Sequence, residues 1–160
     1  MPGFVVGARQ DYARSPIAMT GSYEEYLAQF SGKTRSTLRR KRRKLEEANG
    51  GALDVRCYRS ETEIAKFLTL AGPLARRTYQ ARLLDAALPA DAQSQRQMRD
   101  AAVRDEGRAF LLFLKEKPVA YLYLPIAGTT LIYAYLGYDP DHGALSPGTV
   151  LQMSALEHLF

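Results

Sequence analysis

The residues of this chain that could do chemistry crowd into its last third. Between positions 133 and 150 stand Tyr133, Tyr135, Tyr138, Asp139, His142 and a helix start, Ser146-Pro147-Gly148. A helix N-terminus offers about four unpaired backbone N–H groups and roughly half a positive charge. When it follows a strand and opens on small residues, it suits an anion such as phosphate. Here Ser146 can cap, Pro147 fits the first helical position, and Gly148 removes a side chain where a phosphate would crowd it. The same three residues also make an ordinary helix start, and spacing alone does not choose between the two. The tyrosines can serve proton transfer or strand packing. Asp139, placed before Pro140, has the type of a turn former. His142 sits in a loop, and His158 lies on the last helix. There is no H-E-x-x-H, no C-x-x-C and no Cys–His pairing, so neither a metal nor a covalent intermediate is expected.

A second chemical feature lies far upstream. Residues 33–44, KTRSTLRRKRRK, carry eight basic side chains and no acid. The whole chain has 22 Lys and Arg against 17 Asp and Glu, a net of +5, so everything outside the run is net acidic. The positive field is therefore local. Arg39 to Lys44 are consecutive and encircle a helix, with Leu38 and Leu45 as a narrow apolar seam. Three readings follow: a solvated helix, a grip on a phosphate-bearing substrate through Lys33, Arg35 or Arg39, or nucleic-acid binding. A nucleic-acid module would be expected to spread its basic surface more widely or to set aromatic platforms beside the run. The acidic remainder argues against that partner.

The elements that must position these residues can be read in outline. A length of 160 residues at 46% hydrophobic allows one core and one domain. Cys57 is the single cysteine, which excludes an internal disulfide and fits a reducing cytoplasm. No apolar run reaches the roughly 18 residues of a membrane span, and the N-terminus lacks the order of a signal peptide. Residues 1–21 read as a linker or the tail of an upstream domain, with the domain proper at 22–160. Helices are expected at 22–30 and 32–48, the second capped by Ser31 and stopped by Asn49-Gly50-Gly51. Residues 52–59 alternate as a half-buried strand. Ser60 and Glu63 form a capping box before Ile64, Phe67, Leu68 and Ala71. Gly72-Pro73 should kink or break that helix before Leu74–Leu84 resumes it, and a polar helix follows at 91–105. The β-rich runs 109–115, 118–127 and 130–139 have short joins and predict an antiparallel meander. The first run is apolar on both faces, so each side of the sheet needs a cover. The fold class is α/β in the layered α+β sense.

A meander, a turn-rich loop and a helix opening on glycine resemble the acyl-CoA-binding core of the GNAT acetyltransferase superfamily. Four stretches, SGKTRSTLRRKRRKLE (31–46), RTYQARLL (77–84), KPVAYLYL (117–124) and GYDPDHGALSPGTVL (137–151), resemble the cellulose-biosynthesis-type acetyltransferases. That is a bacterial branch similar to the Fem aminoacyl transferases, and the likeness runs from about Ser22 to Phe160. It implies an N-acyltransferase core with a central, mainly antiparallel sheet flanked by helices. The implied cosubstrate is acetyl-CoA or another acyl-CoA, without a metal, and the acceptor a small-molecule or sugar-type amine in polysaccharide metabolism.

The resemblance further implies that the acyl thioester lies along 130–139, near Leu136 and Gly137, with its diphosphate at Gly143, Ser146, Gly148, Thr149 and Val150. An amine attacks directly, the oxyanion meets a strand N–H, and Tyr135, Tyr133 or Asp139 are the catalytic candidates. Phosphate-linked substrates of the Fem enzymes put Lys33, Arg35 and Arg39 beside a substrate phosphate. The superfamily's Gln/Arg-x-x-Gly-x-Gly/Ala loop is not spelled out here. The superfamily also continues with a further strand and helix where this sequence reads ALEHLF. The expectation is a fragment lacking its C-terminal strands, with upstream and downstream parts of its own parent chain as partners. A nucleic-acid module and a non-catalytic structural lobe are the alternatives.

Overall fold

The computed structural model of the chain describes residues 17–78 and 87–160. Most of the expected linker and the resumed helical stretch after Arg77 lie outside the described residues. Helices α1 (Tyr23–Ala28) and α2 (Gly32–Ala48) lead into β1 (Asp54–Tyr58). Helices α3 (Glu61–Arg77) and α4 (Ala92–Val103) come next. Then follow β2 (Gly107–Leu114), β3 (Lys117–Ala127), β4 (Thr130–Leu131) and β5 (Tyr135–Tyr138). A 3-10 turn (Pro140–Leu145) and helix α5 (Pro147–Leu159) complete the order. The strands form one antiparallel sheet in the order β1-β2-β3, with β4 and β5 both paired to the far side of β3. This is the mixed, layered α/β fold expected of the meander.

The doubly apolar β2 explains the layering. Ala109, Leu111 and Phe113 point to one face, where Ile64, Phe67, Ala71 and Leu74 of α3 and Met98 of α4 pack. Phe110 and Leu112 point to the other, onto Val150, Leu151 and Ala155 of α5 and Leu45 of α2. Period-two alternation thus feeds two separate cores.

Of the kink or break expected at Gly72-Pro73, the break does not occur. Helix α3 runs through Pro73, and its capping box at Ser60 and Glu63 forms. A proline inside a helix costs about 3 kcal/mol. Burying Ile64, Phe67 and Leu68 before it and Leu74 after it is worth about 1.5–3 kcal/mol for each side chain. Packing therefore outweighs the proline.

The run 130–139 is likewise not one strand. Ile126 pairs with Leu131 and Tyr123 with Tyr135, so residues 132–134 oppose only Leu124 and Pro125. One extra residue is inserted, a β-bulge, and it separates β4 from β5. Both hairpin joins are as expected. The β2–β3 turn places Lys115 (φ 48°) and Glu116 (φ 66°) in the left-handed region, as a two-residue primed turn requires. The Asn49 carboxamide oxygen accepts the Lys115 N–H at 2.7 Å and steadies it. No described helix is long and apolar enough to cross a membrane.

Candidate active site

Ser146 precedes the α5 helix but does not cap it. Its φ and ψ are 52° and 48°, and its hydroxyl makes no capping hydrogen bond. The sequence-based expectation of a Ser146 cap is corrected here. Its N–H is donated back to the Gly143 carbonyl at 3.0 Å, closing the 3-10 turn, and this turn delivers Ser146 in a left-handed conformation. Pro147 has no N–H to give. Val150 donates its own to the Ser146 carbonyl at 3.2 Å, so Val150 is not an open donor. Among the described residues, the N–H groups of Gly148 and Thr149 find no acceptor. Two unpaired donors, on the buried Gly148 and the half-buried Thr149, therefore stand at the positive end of a 13-residue helix.

Gly148 also has a packing reason beside the one its spacing suggests. A Cβ built there would lie 3.2 Å from Tyr138 Cδ1 and 3.6 Å from Leu136 Cδ2. The missing side chain lets α5 close on β5, as helix–strand packing demands. Gly143 is less constrained, since a Cβ there would meet Tyr138 at an ordinary 3.8 Å.

β5 forms the second wall. Asp139 donates its N–H to the Val119 carbonyl at 2.8 Å, which fixes the alternation of the β3–β5 ladder. Tyr135 and Gly137 turn their main chain toward β3, whereas Leu136 and Tyr138 turn theirs outward. Among the described residues no strand pairs with that outer edge. Gly137 thus offers no edge donor. Its Cβ would lie 2.5 Å from the ring of the fully buried Tyr121, so it is a packing glycine. In the bulge, Ile132 donates to the Pro125 carbonyl at 2.8 Å, while the N–H groups of Tyr133 and Ala134 have no main-chain acceptor among the described residues.

The catalytic candidates separate by environment. Tyr133 lies in the bulge with 51% of its surface exposed, and desolvation around its hydroxyl pushes the pKa up to about 12. Tyr135 stacks on Tyr123 with ring centroids 6.4 Å apart. Asp139 is 5% exposed and fully engaged. It accepts from Arg77 at 3.0 Å and from the Asp141 N–H at 3.1 Å, and His142 Nδ1 lies 3.5 Å away. Arg77 also pairs with Asp141 at 2.6 Å. This cluster ties the end of α3 to the loop before α5. Asp139 caps that loop, a task that accounts for it without catalysis.

The basic helix reaches the site through residues other than those its sequence favoured. Lys33, Arg35 and Arg39 make no side-chain hydrogen bond or ion pair among the described residues. Lys41 Nζ instead lies 3.4 Å from Thr149 Oγ1, and Lys44 Nζ donates to the Ala144 carbonyl at 3.0 Å. Lys41 stands three residues after Leu38 and four before the fully buried Leu45, on the seam that packs. That spacing could have singled it out. Among the described residues, no group of three or more His, Cys, Asp or Glu gathers that could hold a metal ion.

The fit to a phosphorylated thioester is good at both ends. Two amides without acceptors, one of them buried, and two lysines meet at the start of α5, and an unpaired strand edge leads from there to a bulge whose amides have no main-chain acceptor. A family model described as an acetyltransferase (GNAT) domain matches residues 32–160, from the first residue of α2 to the end of the chain. No curated protein matches.

Proposed function

Because the chain belongs to the acetyltransferase (GNAT) family, we propose that it moves an acyl group, acetyl in the first instance, from CoA to an amine on a small-molecule or sugar-type acceptor. The observation that carries this is the pair of N–H groups at Gly148 and Thr149, left without an acceptor because Ser146 does not cap, with Thr149 the half-buried member that a ligand reaches first. They are placed to hold the diphosphate. The outward main chain of Leu136 and Tyr138 can take pantetheine amides as an added strand. Bound there, acyl-CoA supplies a thioester carbonyl and a thiolate leaving group.

In the transfer a C–N bond forms and the C–S bond breaks. The amine gives its proton to water, and the thiolate takes one up from water. The Tyr133 and Ala134 amides in the bulge are the donors on offer to the oxyanion, at about 2.7–4 kcal/mol each. A phenol with a pKa of about 12 keeps its proton at neutral pH. Tyr133 is thus suited to donate a hydrogen bond to the departing thiolate and poorly suited to be the base. Tyr135, stacked on Tyr123, orients the edge. Lys33, Arg35 and Arg39 are open to a phosphate on the acceptor. The finer placement in the cellulose-biosynthesis branch, with Fem-like polysaccharide chemistry, rests on the four quoted stretches, and a cytoplasmic setting on the single cysteine.

The test is CoA release from acetyl-CoA across a panel of amines. Tyr133→Phe should lower kcat about a hundredfold and leave KM for acetyl-CoA nearly unchanged. Full turnover in Tyr133→Phe would overturn the role given to that hydroxyl.

A further inference from the structure

The loop that meets the donor is poor in the residue types that usually hold phosphate. From Asp139 to Val150 there is no lysine or arginine, and its two acids, Asp139 and Asp141, are both tied to Arg77. A diphosphate with a further phosphate on the ribose needs more positive charge than two amides provide. The structure assigns that charge to α2: we propose that Lys41 and Lys44 complete the anion site at the start of α5 and read the phosphates of the donor. This rests on the CoA reading above and deepens it.

Three observations carry the inference. Lys41 and Lys44 approach from a separate element, more than 95 residues upstream in sequence, onto Thr149 and Ala144 on either side of the helix start. Neither forms an ion pair among the described residues. Their neighbour Arg42, by contrast, is neutralised twice, by Glu46 at 3.0 Å and Glu157 at 2.7 Å. The chain has therefore supplied acids where α2 meets the far part of α5, and none where α2 meets its start. Lys41 is half-buried beside the positive end of a helix dipole, with only a neutral hydroxyl at 3.4 Å. Like charges placed together without a counter-ion are unfavourable in the protein alone and favourable once an anion sits between them. Lys44, held by a carbonyl at 3.0 Å, is oriented toward the same loop.

The experiment is isothermal titration of CoA and of 3′-dephospho-CoA into the full chain and its variants. Lys41→Gln and Lys44→Gln should each weaken CoA binding about tenfold, the loss of one charge-assisted contact. Lys41→Arg should restore most of it. Arg43→Gln, which removes an exposed, unpaired charge from the same helix, should stay within about twofold of the parent. A variant that loses contact with the ribose phosphate binds CoA and dephospho-CoA alike; one that loses contact with the diphosphate weakens both. Thermal melts check that each variant folds. If the parent binds CoA and both glutamine variants bind it equally well, this inference is overturned and the acyltransferase reading stands. If the parent binds no CoA, the reading beneath it fails and takes the inference with it.

Discussion

Gly137 and Gly148 look equivalent in the sequence and meet different neighbours in the fold. At Gly137 an added Cβ would sit 2.5 Å from the Tyr121 ring, which is 0% exposed and cannot retreat. Gly137→Ala should cost about 1–3 kcal/mol, toward the upper end, measured by urea denaturation. At Gly148 the nearest atom, 3.2 Å away, belongs to Tyr138, which is 43% exposed and can swing aside. Gly148→Ala should therefore cost less than about 1 kcal/mol. Equal losses at the two sites would refute this account of why each is glycine. The buried Tyr121 hydroxyl lies beside Thr78 and Leu88 without a well-formed hydrogen bond, and burial raises its pKa. Its cramped position is the reason Gly137 has no room to grow. The sequence marked both glycines and the tyrosines, yet residue type alone does not say which neighbour a missing side chain admits. Ser146 makes the same point. The residue before a proline is steered away from the right-handed region, but the left-handed turn it adopts is set by the 3-10 turn before it.

At the scale of elements, the legible features were those with a local cause. The Ser31 cap, the capping box at Ser60, the Asn49-Gly50 stop and the β2–β3 hairpin all formed from short-range rules. The features that were not legible depend on partners. Pro73 stays helical because α3 lies on the sheet, and the bulge at residues 132–134 appears only when β3 fixes two registers at once. The basic run hid its own orientation, since eight charges in twelve residues show no period except through Leu38 and Leu45. Gly72 lies within α3, and a Cβ there would meet nothing closer than an arginine nitrogen at 3.9 Å. Gly72→Ala should raise stability by about 0.5–1 kcal/mol in urea denaturation, through the lower backbone entropy of alanine. A loss of stability would mean that the helix around Pro73 needs glycine's freedom after all.

For the whole molecule, the two cores on either face of the sheet converge on one consequence. The α3–α4 side buries Tyr121 and Tyr123 and anchors the loop through Arg77, while the α2–α5 side sets a helix start and two lysines against the same loop. The order of helices and strands, and the need for cover on both faces of the sheet, could be read from hydrophobic period. The bulge donors and the meeting of Lys41 with Thr149 required coordinates, because each arises where two separate segments meet, and the uncapped Ser146 did too, because the 3-10 turn before it leaves no mark in residue type. The account as a whole stands on main-chain amides at the beginning of α5 receiving a phosphate. An amide ¹H–¹⁵N spectrum of the full chain, titrated with CoA, tests it most directly. The Gly148 and Thr149 resonances should move furthest and saturate together, with Leu136 following along the open edge. If those resonances stay fixed while CoA perturbs another surface, or nothing moves at all, the central claim is contradicted.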